Sequence, residues 1–364
     1  MNLEFFKDKT VLVTGHTGFK GSWLCEILYL AKAKVIGYAL EPEEESLYNI
    51  LNLDSKIISI YADIRNKKKL EQTIKKYKPE IIIHMAAQPL VLKSYEEPHY
   101  TFETNIMGTL NLLEVVRNNN CVKSFLNVTT DKVYLDKIDV NDEGYNEDDI
   151  ICGKDPYSNS KSCSELITYS YIKSFFADLE YPRVSTARSG NVIGGGDFSS
   201  NRIIPDCVKA AVNNEKIIIR NPDSIRPYQH VLECLKGYLL IAEKQYNDKS
   251  YQGNYNFGPD GNNCVNTLEL VKIFCDKWND VEYFCLNENT KKESKYLKLN
   301  SNLAKNKLGW KPLLSIEESV DLVVKWSKCY YGNKDIVRIT DKQIKKYFED
   351  DVYEIFKKEG KGKL

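Results

Sequence analysis

The chain has 364 residues, and its 51 Lys and Arg are balanced by 51 Asp and Glu. This balance argues against a protein that binds nucleic acid through an excess of positive charge. The length exceeds what a single core usually organises, so we expect one domain of ordinary size and a second, smaller lobe.

Ten cysteines are scattered along the chain without a CxxC pair or a metal-like Cys/His spacing. Reduced thiols are therefore expected, and no metal site is predicted. The N-terminus leads within a few residues into a strand-like segment, without the apolar stretch or cleavage site of a signal peptide. Since no apolar run is long enough to span a bilayer, we expect a cytoplasmic protein with no membrane partner.

The first half alternates short β-branched runs with longer helix-like stretches, which is typical of a parallel sheet with crossover helices. The predicted strands cover residues 10–13, 34–38, 57–61, 80–85, 125–128 and 183–187. The predicted helices cover residues 21–30, 67–77, 105–117 and 158–176. This order predicts an α/β fold, a Rossmann-type doubly wound parallel sheet.

After Arg188 the chain becomes rich in Gly, Ser and Asn, which indicates a loop that leaves the sheet. We therefore expect a sheet domain over residues 1–188 and a smaller C-terminal substrate-binding lobe over 189–350, from which segments can return to the first domain. The lobe is predicted to contain helices over 205–213 and 231–245 and a strand over 216–219. Residues 351–364 are rich in Lys and predict a frayed tail.

A glycine-rich loop follows the first predicted strand and opens a helix. There Gly15 permits a tight turn, Gly18 lets the backbone approach a pyrophosphate, and the helix N-terminus supplies amide donors. The alternative is an ordinary strand-to-helix turn, and for His16 and Lys20 a solvated loop position. The residues predicted to bind a dinucleotide here are Gly15, His16, Thr17, Gly18, Phe19, Lys20 and Gly21.

Three further strand ends bear on the cofactor. The second strand ends without the acidic residue that usually binds the adenosine ribose, and Glu41 stands one position late, so this end does not decide between NAD and NADP. Small or polar residues follow the third and fourth strands, where they either contact the cofactor or simply end a strand. These residues are Asp63 and Ile64, then Ala86, Ala87 and Gln88.

Tyr157 and Lys161 are four residues apart on a predicted helix, so both lie on one face about one turn apart. A phenol with a pKa of about 10 acts as a base at neutral pH only if its phenolate is stabilised by ~3 units, or roughly 4 kcal/mol. An adjacent ammonium and a positive nicotinamide ring can supply that stabilisation. A chance Tyr-x-x-x-Lys is the alternative in a chain with 24 tyrosines.

Thr130, Asp131 and Lys132 follow the fifth predicted strand, at the sheet edge where open α/β sheets bind ligands. Taken alone, they could form a solvated polar turn. Together with the Tyr/Lys pair they place a hydroxyl, a carboxylate, an ammonium and a phenol around one crevice. A redox step needs only the phenol and the hydroxyl, so the extra acid and base indicate an elimination.

Motifs along nearly the whole chain resemble the nucleotide-sugar enzymes of the extended short-chain dehydrogenase/reductase family, and within it the 4,6-dehydratases that act on CDP-glucose. Lys132 separates this group from dTDP-glucose dehydratases, which carry Glu there, and the Asp-Lys pair separates it from epimerases. The motifs are TGHTGFKGSWL, VTTDKVY, DPYSNSKSCSEL, ARSGNVIGGGDF, NRIIPD, IRPYQHVLE and YNFGP.

The resemblance implies NAD as a cofactor that is regenerated in each turnover. It implies that Tyr157 takes the 4-hydroxyl proton while Thr130 and Lys161 orient the hydroxyl and the cofactor. Asp131 would protonate the leaving 6-hydroxyl and Lys132 would remove the C5 proton. The product would be a 4-keto-6-deoxy sugar for deoxysugar and surface-polysaccharide synthesis.

The resemblance also implies a substrate site and an assembly. Asn191, Arg202, Arg220 and Arg226 match positions that hold the nucleotide diphosphate, for which the planar guanidinium is suited, although surface salt bridges are the alternative. The stretches 105–117 and 158–176 resemble helices that pair between subunits, so a homodimer or homotetramer is expected.

Departures from the group's pattern leave the exact sugar and base open. Phe198 and Tyr228 stand where Trp is expected, and Cys234 stands where Pro is expected. The rival functions are an epimerase or a dehydratase that uses a dTDP-, GDP- or UDP-linked hexose, and a non-catalytic NAD-sensing protein. The last has no need of Tyr157, Lys161, Asp131 and Lys132 together.

Overall fold

The computed structural model describes residues 3–136, 144–178, 180–286 and 297–348, so the tail predicted for 351–364 lies outside the described residues. The strands are β1 (Thr10–Thr14), β2 (Lys34–Ala39), β3 (Ile58–Tyr61), β4 (Ile81–His84), β5 (Ser124–Val128), β6 (Arg183–Ser189), β7 (Val192–Ile193), β8 (Ile217–Ile219), β9 (Ile225–Arg226), β10 (Gln229–His230), β11 (Asn254–Phe257), β12 (Val265–Asn266) and β13 (Tyr283–Cys285). The α-helices are α1 (Phe19–Leu30), α2 (Leu47–Ile50), α3 (Lys67–Tyr77), α4 (Val91–Glu96), α5 (Pro98–Phe102), α6 (Gly108–Arg117), α7 (Pro156–Tyr171), α8 (Ile203–Val212), α9 (Val231–Asn247), α10 (Thr267–Trp278), α11 (Ile316–Tyr331) and α12 (Ile336–Tyr347).

Seven parallel strands form the central sheet in the order β11-β6-β5-β4-β1-β2-β3. The strand order reverses between β1 and β4, which is where doubly wound sheets open a ligand crevice at their carboxyl ends. Both β1 and β5 end at this crevice, the first with the glycine-rich loop and the second with Thr130. The predicted Rossmann-type sheet is confirmed.

The sheet is buried on both faces, which explains why its inner strands read as continuous apolar runs. One core contains Val11, Trp23 and Leu126, and the opposite core contains Leu12, Leu113 and Phe125. Successive strand residues thus serve opposite cores, as the two-residue period of a strand requires. Burial of one such side chain contributes about 1.5–3 kcal/mol.

Two elements beyond residue 188 return to the first domain. Strand β11 pairs with β6, with Asn254 opposite Thr186, and becomes the edge of the central sheet. Helix α9 contributes Leu235 and Leu239 to the core that also contains Val11. The expected division at residue 188 therefore needs one qualification: β11 and α9 follow residue 188 in sequence but pack with the first domain.

The smaller C-terminal lobe packs α8, α10 and α11 around their own apolar core, in which Ile204, Phe274 and Val320 are buried. Its short strands pair locally as β10 with β7, β12 with β9 and β13 with β8. None of the helices within the described ranges combines the length and apolar character needed to cross a bilayer.

The two helices predicted to pair between subunits differ in detail from the expectation. The stretch predicted as 158–176 begins earlier, at Pro156, because the Asp155 carboxylate caps it by accepting a hydrogen bond from the Ser158 amide at 2.9 Å. It ends in a π-helical turn, Ile172–Phe176. The stretch predicted as 105–117 likewise starts with a π-helical turn, Glu103–Met107, before α6.

Candidate active site

The loop between β1 and α1 has no room for side chains at two of its glycines. Gly15 has a φ of +76°, and a Cβ there would lie 2.9 Å from the backbone nitrogen of Ala86. A Cβ on Gly21 would lie 2.1 Å from the Gly15 carbonyl oxygen. Gly18 precedes α1 without a side-chain cap, so the first amides of α1 remain available to an anion. This cradle fits the diphosphate of a dinucleotide.

His16 points away from the cradle and into the protein. Its ring is fully buried, lies 5.3 Å from the Tyr48 ring and stacks near Tyr61, and neither ring nitrogen has a hydrogen-bond partner. Burial lowers the pKa of His16 to about 4. The imidazole is therefore neutral and brings no positive charge to the loop. Gly37 makes room for it, since a Cβ there would lie 2.2 Å from the ring.

Lys20 also departs from a simple phosphate-binding position. It lies on the first turn of α1, yet its Nζ lies 5.8 Å from the centroid of the Tyr238 ring, on α9. Burial lowers the pKa of Lys20; Cys234 and Asp131 oppose this shift, and Arg202 adds to it. These neighbours place the Lys20 ammonium in the crevice beside the predicted catalytic residues.

The chain just after β2 supplies no buried acidic side chain at the expected position, because Glu41 is exposed. The Thr17 hydroxyl donates a hydrogen bond to the Leu40 carbonyl oxygen at 3.0 Å, and Glu41 is exposed. Neither residue supplies a fixed carboxylate for a ribose. The residues after β3 and β4 are therefore the remaining candidates to contact the adenosine end of a dinucleotide.

Asp63 and Ile64 follow β3 in different environments. The Asp63 carboxylate forms an ion pair with Arg65 at 2.7 Å, and this hydrogen bond lowers the pKa of Asp63. Ile64 is buried and packs under α6, where a Cβ on Gly108 would lie 2.6 Å from its side chain. Asp63 is thus a partly exposed charged group, whereas Ile64 belongs to the apolar packing between β3 and α6.

The residues after β4 are held by hydrogen bonds. The Thr14 hydroxyl accepts a hydrogen bond from the Ala86 amide at 3.1 Å, and the Asn105 side chain accepts one from the Gln88 amide at 2.8 Å. Gln88 is buried, and Ala86 and Ala87 are half-buried. These small residues let the backbone pass within contact distance of the glycine loop.

Tyr157 and Lys161 lie on the first two turns of α7, and both are nearly buried. Burial raises the pKa of Tyr157 to about 12, although a hydrogen bond with Thr130 and the charge of Arg202 oppose the shift. The Lys161 ammonium donates a hydrogen bond to the Val128 carbonyl oxygen at 3.0 Å. Burial and then Lys20 lower the pKa of Lys161 to about 7.

Asp131 and Lys132 form an ion pair next to this phenol. Their Oδ1 and Nζ atoms lie 3.6 Å apart, with Asp131 1% exposed and Lys132 26% exposed. The Thr130 hydroxyl donates to Asp131 Oδ1 at 3.0 Å, while Asp131 Oδ2 is buried without a partner. Lys132 Nζ also lies 3.5 Å from Asn191 Oδ1. The structure thus brings together the four side chains predicted around the crevice, and Asn191 with them.

The predicted phosphate-binding arginines differ in exposure. Arg202 forms an ion pair with Asp197 at 3.0 Å, and exposed Arg220 donates to Asn201 at 3.2 Å. Arg226 is buried on β9. The charge of Arg202 acts to lower the pKa of Tyr157, so Arg202 lies near the predicted catalytic residues as well as in the lobe.

A cavity of about 550 Å³ lies beside this lobe, between residues 194–201, α8 and α11. Asp197 and Asn201 line it, but Tyr157 and Asp131 do not. It is therefore separate from the crevice in which the predicted catalytic side chains meet. Within the ranges that the structure describes, no cluster of three His, Cys, Asp or Glu side chains is arranged to hold a metal ion.

Residues 12–323 match the sequence profile of the GDP-mannose 4,6 dehydratase family. The chain belongs to this family. It is 42% identical over 351 residues to the CDP-glucose 4,6-dehydratase of Salmonella typhimurium, in an alignment that covers 94% of this chain and 97% of the relative. The family resemblance inferred from the motifs is confirmed.

Solved structures of this GDP-mannose 4,6 dehydratase-like fold include enzymes with other reactions. A UDP-N-acetylglucosamine 4-epimerase from Methanobrevibacter ruminantium superimposes with a TM-score of 0.76 at 26% identity, over 88% of this chain and 98% of that one. A dTDP-glucose 4,6-dehydratase from Bacillus anthracis, solved with NAD, has a TM-score of 0.73 at 22% identity, over 91% and 99%. Fold alone therefore does not distinguish dehydration from epimerisation in this group.

Two buried charged residues near the predicted site, Glu165 and Arg188, were not predicted from the sequence. Glu165 follows Lys161 by one turn of α7, and Arg188 lies on β6, where it is 0% exposed. Each carried a signal: an acid four residues after the lysine, and an arginine inside an otherwise apolar strand. A buried charge requires a partner, and here the two residues are each other's partner, with Arg188 Nη2 2.6 Å from Glu165 Oε2.

Proposed function

We propose that this chain is an NAD-dependent hydro-lyase that converts CDP-D-glucose to CDP-4-keto-6-deoxy-D-glucose. The observation that carries the proposal is the ion pair between buried Asp131 and partly exposed Lys132 beside Tyr157, since an acid and a base next to a redox-type phenol are what an elimination adds. The 42% identical relative named CDP-glucose 4,6-dehydratase supports the same reaction and the same nucleotide.

NAD fits the glycine cradle because Gly15 and Gly21 leave it free of side chains and the first amides of α1 face it. When bound, its nicotinamide ring would supply reversible hydride exchange, accepting a hydride from carbon 4 of the sugar and returning it to carbon 6. The side chains that would hold the nicotinamide end are Tyr157 and Lys161. Both stand on one face of α7, at the edge of the crevice.

Tyr157 is proposed to accept the proton of the sugar 4-hydroxyl. Its pKa, raised to about 12 by burial, must fall toward neutrality when substrate and cofactor are in place. The charge of Arg202 and the Lys161 ammonium favour the phenolate, and so does Thr130 when its hydroxyl donates to Tyr157 instead of to Asp131. Because the pKa of Lys161 is about 7, this ammonium is populated at neutral pH but is lost as the pH rises.

Asp131 and Lys132 are proposed as the acid and the base of water loss. In the ion pair Asp131 is a carboxylate and Lys132 is an ammonium, whereas water loss requires a protonated Asp131 and a neutral Lys132 amine. Movement of one proton from Lys132 to Asp131 corrects both without changing the net charge of the pair. Elimination then restores the charged pair: Lys132 takes the C5 proton, and Asp131 gives its proton to the departing 6-hydroxyl, which leaves as water. When the hydride returns to C6, the Lys132 ammonium gives a proton back to C5. The proton that Tyr157 took from the 4-hydroxyl then recharges Lys132, so the cycle balances.

The substrate diphosphate is proposed to bind Arg202, Arg220 and Arg226, with Asn191 beside the sugar. A guanidinium can donate two parallel hydrogen bonds to phosphate oxygens, and these three arginines come from three segments around the C-terminal lobe. Asn191 Oδ1, near Lys132 Nζ, links this region to the elimination pair.

An epimerase is the second candidate, because a 26% identical UDP-N-acetylglucosamine 4-epimerase has the same fold. Epimerisation at C4 needs a base at the 4-hydroxyl but no acid for a leaving 6-hydroxyl. The buried Asp131 oxygen without a partner has no task in that reaction. This difference favours dehydration.

The proposed function predicts a strong preference among nucleotide hexoses. Purified protein with NAD should convert CDP-glucose at least about tenfold faster than dTDP-, GDP- or UDP-glucose, corresponding to a difference of roughly 1.4 kcal/mol in transition-state binding. The measurement is the product mass, which falls by the mass of one water molecule. Equal rates with dTDP-glucose contradict the nucleotide assignment, and an unchanged mass with altered C4 stereochemistry supports the epimerase.

We further propose a homodimer or a homotetramer that works in the cytoplasm. Exposed apolar side chains lie on both stretches that are predicted to pair between subunits, on α7 and on the π-helical turn before α6. These side chains are Met107, Leu166 and Tyr169. The pairing would leave the crevice free, because Tyr157 and Lys161 are buried on the opposite side of α7.

A further inference from the structure

One buried ion pair lies behind the catalytic residues and is not needed for their chemistry. Arg188 Nε and Nη2 donate to the two carboxylate oxygens of Glu165 at 2.7 and 2.6 Å, a two-pronged contact. Their side chains are 0% and 3% exposed. Thr186 adds a third donor to the carboxylate at 3.0 Å, so the pair is fully engaged within the protein.

The pair binds both ends of the segment that carries the proposed acid and base. At the start of this segment, residues 129–134, the Thr129 hydroxyl donates to Glu165 Oε1 at 2.5 Å. At its end, Arg188 Nη1 donates to the Tyr134 hydroxyl at 2.7 Å. Asp131 and Lys132 lie between these two attachments.

The same pair fixes this segment against α7. Tyr157, Lys161 and Glu165 follow one another at intervals of four residues, so they lie along one face of that helix. Glu165 therefore belongs to the same rigid element as the phenol and its lysine. A carboxylate on this element that binds Thr129 sets the distance between the helix groups and the elimination pair.

Arg188 also connects these residues to two other segments of the same chain. Its Nη1 also donates to the Glu147 carbonyl oxygen at 2.8 Å, and the Glu147 carboxylate accepts a hydrogen bond from the Asn256 amide at 2.9 Å. The Tyr134 hydroxyl donates to the Asn256 side chain at 2.7 Å. One guanidinium thus joins α7, the segment 129–134, the chain near Glu147 and strand β11.

The pair is a poor choice for stability alone. Two charges must leave water to form it, and apolar residues of similar volume are often as stable at such a position. Burial acts to lower the pKa of Arg188, but Glu165 outweighs it and the net pKa is raised, so the guanidinium stays charged. The two-pronged contact fixes the orientation of both side chains, and this is a role that apolar residues could not fill.

We propose that Glu165 and Arg188 are positioning residues that hold Asp131 and Lys132 in register with Tyr157 and Lys161. This inference rests on the proposed dehydration. Loss of the pair should loosen the segment 129–134 while leaving the glycine cradle intact. Water loss should therefore suffer more than cofactor binding or removal of the 4-hydroxyl proton.

The test begins with Arg188→Lys, which keeps the positive charge but cannot form the two-pronged contact and reach Tyr134 together. Because a displacement of about 1 Å at reacting groups can cost about 100-fold, kcat should fall by roughly that factor while KM changes less than about threefold. The reduced nicotinamide signal should persist in the variant, as it would if water loss had become slow. Affinity for NAD, measured by calorimetry without substrate, should be unchanged.

A matched control separates positioning from stability. Glu26→Gln breaks another buried ion pair, Glu26 with Lys56 at 2.8 Å, on α1 and away from the segment 129–134. Thermal unfolding of both variants reports any loss of stability, and only Arg188→Lys should lose kcat. Should Arg188→Lys fail to fold, Glu165→Gln, which retains a side-chain oxygen for Thr129, replaces it with the same expected outcome.

A double-mutant cycle gives a readout that a purely structural role would not produce. Tyr134→Phe alone should lower kcat by about tenfold, but in the Arg188→Lys background it should have little further effect, because the contact is already lost. Variants that fold, bind NAD and turn over like Glu26→Gln overturn this inference while leaving the dehydration in place. Wild-type protein that binds NAD but converts no nucleotide hexose overturns the proposed function and this inference with it.

Discussion

Tyr157→Phe should lower turnover of CDP-glucose by at least about 10³-fold, within the range that general-base catalysis contributes. The substitution keeps the buried ring and removes only the hydroxyl that meets Thr130. Affinity for NAD should therefore stay unchanged. The rate is read from product mass and the affinity from calorimetry.

The control for this variant is Tyr171→Phe, on the same helix. Its hydroxyl donates to Glu114 at 2.7 Å, remote from the crevice, so its loss tests the general effect of removing one tyrosine hydroxyl from α7. This control should keep near-wild-type turnover. If Tyr157→Phe also keeps it, Tyr157 takes no part in the mechanism.

Lys132→Met should stop water loss while leaving the first oxidation intact. Loss of the Lys132 ammonium deprives Asp131 of its ion-pair partner at 3.6 Å and of its proton source. It also removes the base that is proposed to take the C5 proton. We expect a fall in kcat of at least about 10²-fold, as for loss of a general base. In deuterated water the wild type should place deuterium at C5 of the product, and the variant should show no exchange there.

The control for Lys132→Met is Lys154→Met. Lys154 is 70% exposed and pairs with Asp136 at 2.8 Å, close in sequence to α7 but outside the crevice. Its loss should leave both turnover and C5 exchange unchanged. Wild-type exchange with normal product release in Lys132→Met would show that Lys132 is only a turn residue, and the base would have to be found elsewhere.

Patterns with strict local requirements could be predicted from the sequence. The cradle needs glycine at positions 15 and 21 because any Cβ would collide with backbone, and that demand is visible as spacing. The Tyr157–Lys161 interval also translates directly into geometry, since four residues make about one helical turn. The parallel sheet followed from its alternation of apolar runs with amphipathic helices.

Side-chain direction and long-range pairing could not be predicted in the same way. Nothing in the local pattern indicates that His16 turns inward against Gly37 or that the Lys20 ammonium lies near Tyr238, more than two hundred positions along the chain. The return of β11 to the sheet depends on its pairing with β6, a contact between distant segments. These features are set by tertiary packing, which overrides local preference.

In the proposed reaction one site oxidises C4, removes water across C5 and C6, and returns the hydride to C6. It is tested most directly with CDP-glucose carrying deuterium at C4, incubated with the wild-type protein and NAD in ordinary water. The expected product is a 4-keto-6-deoxy sugar, one water lighter, with the deuterium in its methyl group. A hexose that loses no water and carries the deuterium at an inverted C4 would contradict this reaction and show that the site is an epimerase.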